Sequence, residues 1–182
     1  MRYKGMMQKP IFNLQFAAKD IRGLAARYDF KEDKIALDAG ARISGGDFSR
    51  ANLEAIFEWK TKGRGRSRLT KNNDDEIADA LKLAIEAETP RAAVAALTGL
   101  SGVDVPVATA ILATVKPDDH TIIDWRALHA LGVNASSVTI KLYLCYLTYC
   151  KEIAVKNKVT LRELDRAMWQ WSKEQGIPHR KL

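Results

Sequence analysis

Long apolar runs, cysteines and clustered histidines are all scarce in this chain, and each scarcity excludes a class of protein. No stretch approaches the roughly 20 consecutive apolar residues that a membrane-spanning helix needs, so no membrane partner is expected. Two cysteines, Cys145 and Cys150, are all that 182 residues contain. They fall in one apolar helical stretch with the wrong spacing for a CxxC site, which argues against a disulfide framework and makes both expected core thiols. His120, His129 and His179 lack the mutual spacing of metal ligands, so no metal site is expected. The basic N-terminal segment, read as an arm over residues 1–10, has no apolar run long enough for export, and a cytoplasmic location is the expectation. Convincing strand patterns, internal repeats and low-complexity tracts are missing too, which leaves an all-α protein.

What the chain has is basic charge and helical periodicity. Lys and Arg number 29 against 22 Asp and Glu, a net charge of +7 that favours a polyanionic partner without identifying one. Apolar residues at helical spacing mark about nine helices. Phe12, Phe16, Ile21, Leu24 and Ala25 suggest a helix or an irregular helical pair over residues 11–28, and Ile35, Leu37 and Ile43 another over 30–43. Leu53, Ile56 and Phe57 give a helix over 50–60, with Asp47 or Ser49 as its cap. The acidic start Asn73-Asp74-Asp75-Glu76 opens one over 74–86. Further on, a long apolar helix spans about 138–156, and Thr160-Leu161-Arg162-Glu163 forms a capping box before the last helix, which Gly176-Ile177-Pro178 stops. His179, Arg180 and Lys181 form a basic tail.

Residues 59–73 are the most basic stretch and contain no acidic residue. They read as a loop with Gly63 and Gly65, which let backbone and guanidinium groups approach a phosphate. Lys60, Arg64 and Arg66 are candidates for a DNA-facing group, and Trp59 at the edge is a candidate for stacking on a base. The competing reading is a solvated loop beside a core tryptophan.

Residues 90–98 read as a short helix with Thr89 as N-cap and Pro90 at its first position. Gly102 turns the chain, and a second apolar helix follows over 105–115. This is a helix-hairpin-helix. Backbone N–H groups at the start of the second helix suit a phosphate oxygen, which makes Gly102, Val103, Asp104 and Val105 candidate DNA contacts. After a turn at Lys116-Pro117-Asp118-Asp119-His120, the apolar run Thr121-Ile122-Ile123 is extended and Asp124 opens another helix. Such an Asp is by itself an ordinary N-cap. Trp125 and Arg126 follow on the same turn, Trp125 as a pocket candidate and Arg126 as a group that positions Asp124, binds phosphate, or makes a surface salt bridge.

Residues 97–131, about a fifth of the chain, resemble the core of the helix-hairpin-helix base-excision DNA glycosylases, the superfamily of endonuclease III and 3-methyladenine DNA glycosylase II. The family's Leu-Pro-Gly-Val-Gly hairpin, small-residue helix and Val-Asp appear here as Leu100-Ser101-Gly102-Val103-Asp104, Ala108-Thr109-Ala110-Ile111-Leu112 and Ile123-Asp124. The resemblance implies two helical lobes, one at residues 47–118 and the other built from 1–46 and 119–182, with a base pocket between them. It implies that Asp124 is catalytic, stabilising positive charge on the sugar as the N-glycosidic bond breaks. It implies double-stranded DNA as partner, a monomer, and no redox or nucleotide cofactor, with a monovalent cation in the hairpin. Three departures stand out. Asp104 replaces the second hairpin glycine and puts a negative charge where a phosphate would sit. Pro106 occupies the position of the catalytic lysine of bifunctional members, so no Schiff base forms from that site and a monofunctional hydrolase is expected. The four-cysteine cluster of endonuclease III is missing, and the region before the hairpin is short. A noncatalytic helix-hairpin-helix DNA-binding protein and an all-α protein-interaction module are the alternatives, the latter suggested by Asp104.

Overall fold

The computed structural model describes residues 11–31 and 33–176. The expected N-terminal arm, the Ile177-Pro178 stop and the basic tail lie outside these residues. Within them the chain is all-helical: α1 (Ile21–Arg27), α2 (Asp33–Ser44), α3 (Arg50–Thr61), α4 (Arg66–Leu69), α5 (Asp74–Glu86), α6 (Pro90–Thr98), α7 (Val105–Val115), α8 (Trp125–Ala130), α9 (Ile140–Asn157) and α10 (Leu161–Glu174).

Local chemistry sets many of the boundaries. Asn73 accepts from the Glu76 N–H while Glu76 accepts from the Asn73 N–H, a capping box that starts α5. Thr89 caps α6, Thr139 caps α9, and Thr160 with Glu163 boxes the start of α10. Two stretches depart from expectation. Residues 11–17 are extended rather than helical: the Asn13 and Gln15 N–H groups donate to the carbonyls of Leu131 and Ala130 at 3.1 and 2.9 Å, and only a 3-10 turn at Ala18–Asp20 precedes α1. Apolar residues in an extended segment lying on a core mimic a helical face when read loosely. The basic stretch is also less open than expected, because α3 runs on to Thr61 and α4 forms within it, anchored by fully buried Leu69.

Helix α7 is the centre of the fold. Its sequence is apolar all round, so it can be stable only if buried on every side, and all of its residues except Pro106 are buried. It packs on α2, α3 and α6, and Gly40 of α2 meets it where an added Cβ would overlap the Thr114 carbonyl. Helix α10 packs on α1, α8 and α9. One continuous apolar core takes side chains from all ten helices. Helix α2 packs on α3 and α7.

Candidate active site

The run Thr121-Ile122-Ile123 carries Asp124 into position. All three are buried; the Ile123 N–H donates to Thr109 Oγ1 of α7 at 3.2 Å, and Tyr146 of α9 donates its hydroxyl proton to the Ile122 carbonyl at 2.7 Å. The backbone before Asp124 is thereby pinned from two sides. Asp124 Oδ1 accepts from the N–H groups of Arg126 and Ala127, both at 3.0 Å, capping α8. Oδ2 contacts Lys60 Nζ at 2.5 Å, with the two side chains 19% and 15% exposed. Burial raises the Asp124 carboxyl, but the Lys60 ammonium and the two helix N–H donors outweigh it, so the group lies below the usual carboxylate range and is ionised.

Lys60 is therefore not aligned with Arg64 and Arg66 as a surface cation. It closes the last turn of α3, where a cation is favoured by the helix dipole, and turns inward onto Asp124. Its neighbour Trp59 serves a second acid: Trp59 Nε1 donates to Asp33 Oδ1 at 3.1 Å, while the ring packs on Ala110, Ala113 and Ile122. Asp33, only 1% exposed, also accepts from Tyr28 (3.0 Å), Arg162 (2.5 Å) and Arg166 (3.2 Å). Arg162 in turn pairs with Asp165. Burial, partly offset by Arg162 and reinforced by Asp124, pushes Asp165 up to about 6. The outcome is a half-buried network of alternating charges joining α2, α3, α8 and α10.

Asp33, Arg162, Asp165 and Arg166 did not emerge from motif reading. Asp165 left a signal nonetheless, since it falls among Leu161, Leu164 and Met168 on the apolar stripe of α10, where an acid needs a partner. A narrow crevice lined by His120, Thr121, Ile122, Arg162 and Asp165 lies beside this network. His120 Nδ1 lies 2.9 Å from the Tyr143 hydroxyl, and burial pushes the imidazole down to about 4, so it is neutral.

Arg126 lies with its guanidinium carbon 4.3 Å from the Trp125 ring centre and 5.1 Å from that of Trp169, and its Nη1 reaches Ser172 Oγ at 3.5 Å. It is stacked onto α10, with Trp125 as a half-buried partner. In the hairpin, Gly102 takes φ +85°, the left-handed conformation that favours glycine. Val103 and Val105 are buried core residues, so only their backbone could meet a phosphate. Asp104 caps α7 by accepting the Val107 N–H at 3.0 Å, which uses one of the donors a phosphate would need. The basic stretch docks on this turn. Asn72 accepts the Ser101 N–H at 2.8 Å and donates to the Ser101 carbonyl at 3.0 Å, and an added Cβ at Gly102 would lie 2.9 Å from the Leu69 nitrogen. Arg64 donates to the Thr61 carbonyl at the end of α3, and Arg66, 60% exposed, lies 3.6 Å from Glu54. Hairpin and basic stretch thus form one surface.

Among the described residues no group of three or more His, Cys, Asp or Glu is arranged to hold a metal ion, and no helix is long and apolar enough to cross a membrane. No protein family matches the chain, and neither a curated protein nor a solved structure is similar to it.

Proposed function

We propose that the protein is a DNA glycosylase of the helix-hairpin-helix type, acting as a monomer on a damaged or modified base in double-stranded DNA, without a redox or nucleotide cofactor. The observation that carries the reading is Asp124: an ionised carboxylate, held by two helix N–H groups and reachable from solvent, that follows the hairpin at the family's spacing. Breaking an N-glycosidic bond leaves positive charge on the sugar, and a fixed carboxylate near the anomeric carbon stabilises that charge and orients the attacking water. The joined hairpin and basic stretch supply backbone and guanidinium groups for phosphates of a distorted duplex.

The test is single-turnover release of bases from duplexes carrying alkylated, oxidised, deaminated and bulky modified bases, comparing wild type with Asp124→Asn. Release by the wild type that is lost in the variant while DNA binding persists supports the reading. A second reading, noncatalytic DNA binding, is favoured by Lys60, which already engages the Asp124 carboxylate at 2.5 Å; salt-sensitive binding with no release from any duplex would establish it in place of the first.

A further inference from the structure

We propose that one side of α10, together with the start of α8, binds an unpaired DNA strand, as a second nucleic-acid surface apart from the hairpin and the basic stretch. Arg162, Arg166, Trp169 and Lys173 recur at helical spacing, which places them on one side of α10 over about 16 Å. Trp169 and Trp171 are two residues apart and therefore about 200° apart round the helix. Trp171 packs on the apolar core, which accounts for it. The half-buried Trp169 ring instead has Tyr28 edge-on at 5.0 Å between ring centres, with the Arg126 guanidinium carbon and Lys173 Nζ each 5.1 Å from its own centre. Phe30, 59% exposed, extends the aromatic surface beside Arg166.

The charges differ in what holds them. Arg162 and Arg166 are committed to Asp33, and Glu174, which follows Lys173, is paired with Arg27. Arg126 and Lys173 lie on rings and form no ion pair with a carboxylate among the described residues. Stacking occupies the faces of the Arg126 guanidinium, while its N–H donors lie in the plane and suit a phosphate; the contact from Nη1 to Ser172 Oγ is long, at 3.5 Å. Rings flanked by uncommitted cations match a chain that alternates π-faces with phosphates. Bases inside a duplex are already stacked on both faces, so the matching chain is unpaired. A quaternary ammonium ligand is disfavoured, because Arg126 already lies over the rings such a cation would use. The choice of DNA over RNA rests on the reading of Asp124 above; the stacking surface itself does not.

The test uses full-length protein and labelled oligothymidine, with binding read by fluorescence anisotropy over a salt series. A second oligothymidine carries one 5-iodouracil, whose photocrosslinks are mapped by peptide mass spectrometry. Wild type is expected to bind and to crosslink at Trp125, Trp169, Tyr28 or Phe30. Trp169→Ala is expected to weaken binding about tenfold, the loss of one stacked base, and Trp169→Phe, which keeps a ring, to recover most of it. Lys173→Gln is expected to reduce the salt slope by about 0.7, one phosphate contact on a single strand. No binding by wild type, crosslinks only at other residues, or unchanged affinity in Trp169→Ala overturns the proposal. The crosslink map and the exposed Lys173→Gln decide even if Trp169→Ala folds poorly. Displacement of oligothymidine by polyglutamate at equal charge would replace the strand with an acidic peptide, and tighter binding of oligouridine would overturn the assignment to DNA. Crosslinks on this face without base release from any modified duplex leave the surface standing while the glycosylase reading falls, and base release without such crosslinks does the reverse.

Discussion

At the residue scale the charges of the site differ in what their loss does. Asp124→Asn retains a side-chain oxygen that accepts from Arg126 and Ala127, since Asn is as good an N-cap as Asp, but it leaves the half-buried Lys60 unpaired. The expected cost is about 1–3 kcal/mol in urea unfolding, so the variant folds and loss of base release can be assigned to charge. Asp33→Ala is more severe. It leaves Arg162 and Arg166 without their shared carboxylate in a site where the acid is 1% exposed, and a loss of roughly 3–5 kcal/mol is expected. His120 and Asp165 give opposite pH dependences. His120 falls from 6.5 to about 4 on folding, so the unfolded chain binds the extra proton and this stabilisation, complete above 6.5, is lost as pH falls towards 4. Asp165 rises from 3.8 to about 6, so the folded chain binds the extra proton and its stabilisation, complete below 3.8, is lost as pH rises towards 6. Relative to wild type, Asp165→Asn is expected to lose stability more steeply on acidification across this window, and His120→Gln less steeply, as read from urea midpoints. Asp124 was legible in sequence as the cap of α8 because a helix start follows the apolar run there. Asp33 was not, because its partners Tyr28, Trp59, Arg162 and Arg166 come from three separate elements, the end of α1, α3 and α10, and only the fold brings them together.

At the element scale the legible features were those encoded within a few residues. The acidic start of α5, the Thr89-Pro90 start of α6 and the Thr160–Glu163 capping box of α10 put the structural boundaries where the sequence implied them, and the apolar run of α7 read as Val105–Val115. What periodicity could not give was which helices touch. Gly40 illustrates the difference. In an isolated helix Gly→Ala is worth up to about 1 kcal/mol of stabilisation, yet here the new methyl group would overlap the Thr114 carbonyl at the α2–α7 crossing. Gly40→Ala is therefore expected to be net destabilising by about 1–3 kcal/mol, the ordinary range for overpacking a core, and an increase in thermal midpoint would refute the close crossing. Gly102→Ala meets two penalties, φ +85° and a methyl group 2.9 Å from the Leu69 nitrogen. A loss of similar size is expected, about 1–3 kcal/mol, and because the clash is with α4 it should also loosen the basic stretch, measurable as faster amide exchange at residues 66–72.

At the scale of the whole molecule, the surface joining the hairpin to the basic stretch has consequences for how DNA would bind. A phosphate contact releases condensed counterions, so each one adds about 0.9 to the negative slope of log affinity against log salt. Hairpin contacts made by backbone N–H groups carry no formal charge and add little; the slope should come from the basic stretch. Arg66 and Lys71 are exposed cations on it, and Arg66 is only loosely placed by Glu54 at 3.6 Å. Replacing both with Ala is expected to reduce the slope by about 2 and to weaken binding to all duplex sequences alike, measured by fluorescence anisotropy over a salt series. Charge removal at Asp104 probes the other half of the surface. Asp104→Asn keeps the cap on the Val107 N–H while removing the carboxylate that faces any approaching phosphate, so binding is expected to tighten by severalfold without a change in fold. Unchanged affinity in both variants would move the DNA-facing surface elsewhere; tighter binding in Asp104→Asn together with a smaller slope in the double variant would place one duplex backbone across the hairpin and α4, on a surface supported by the same central helix α7 that anchors the approach to Asp124.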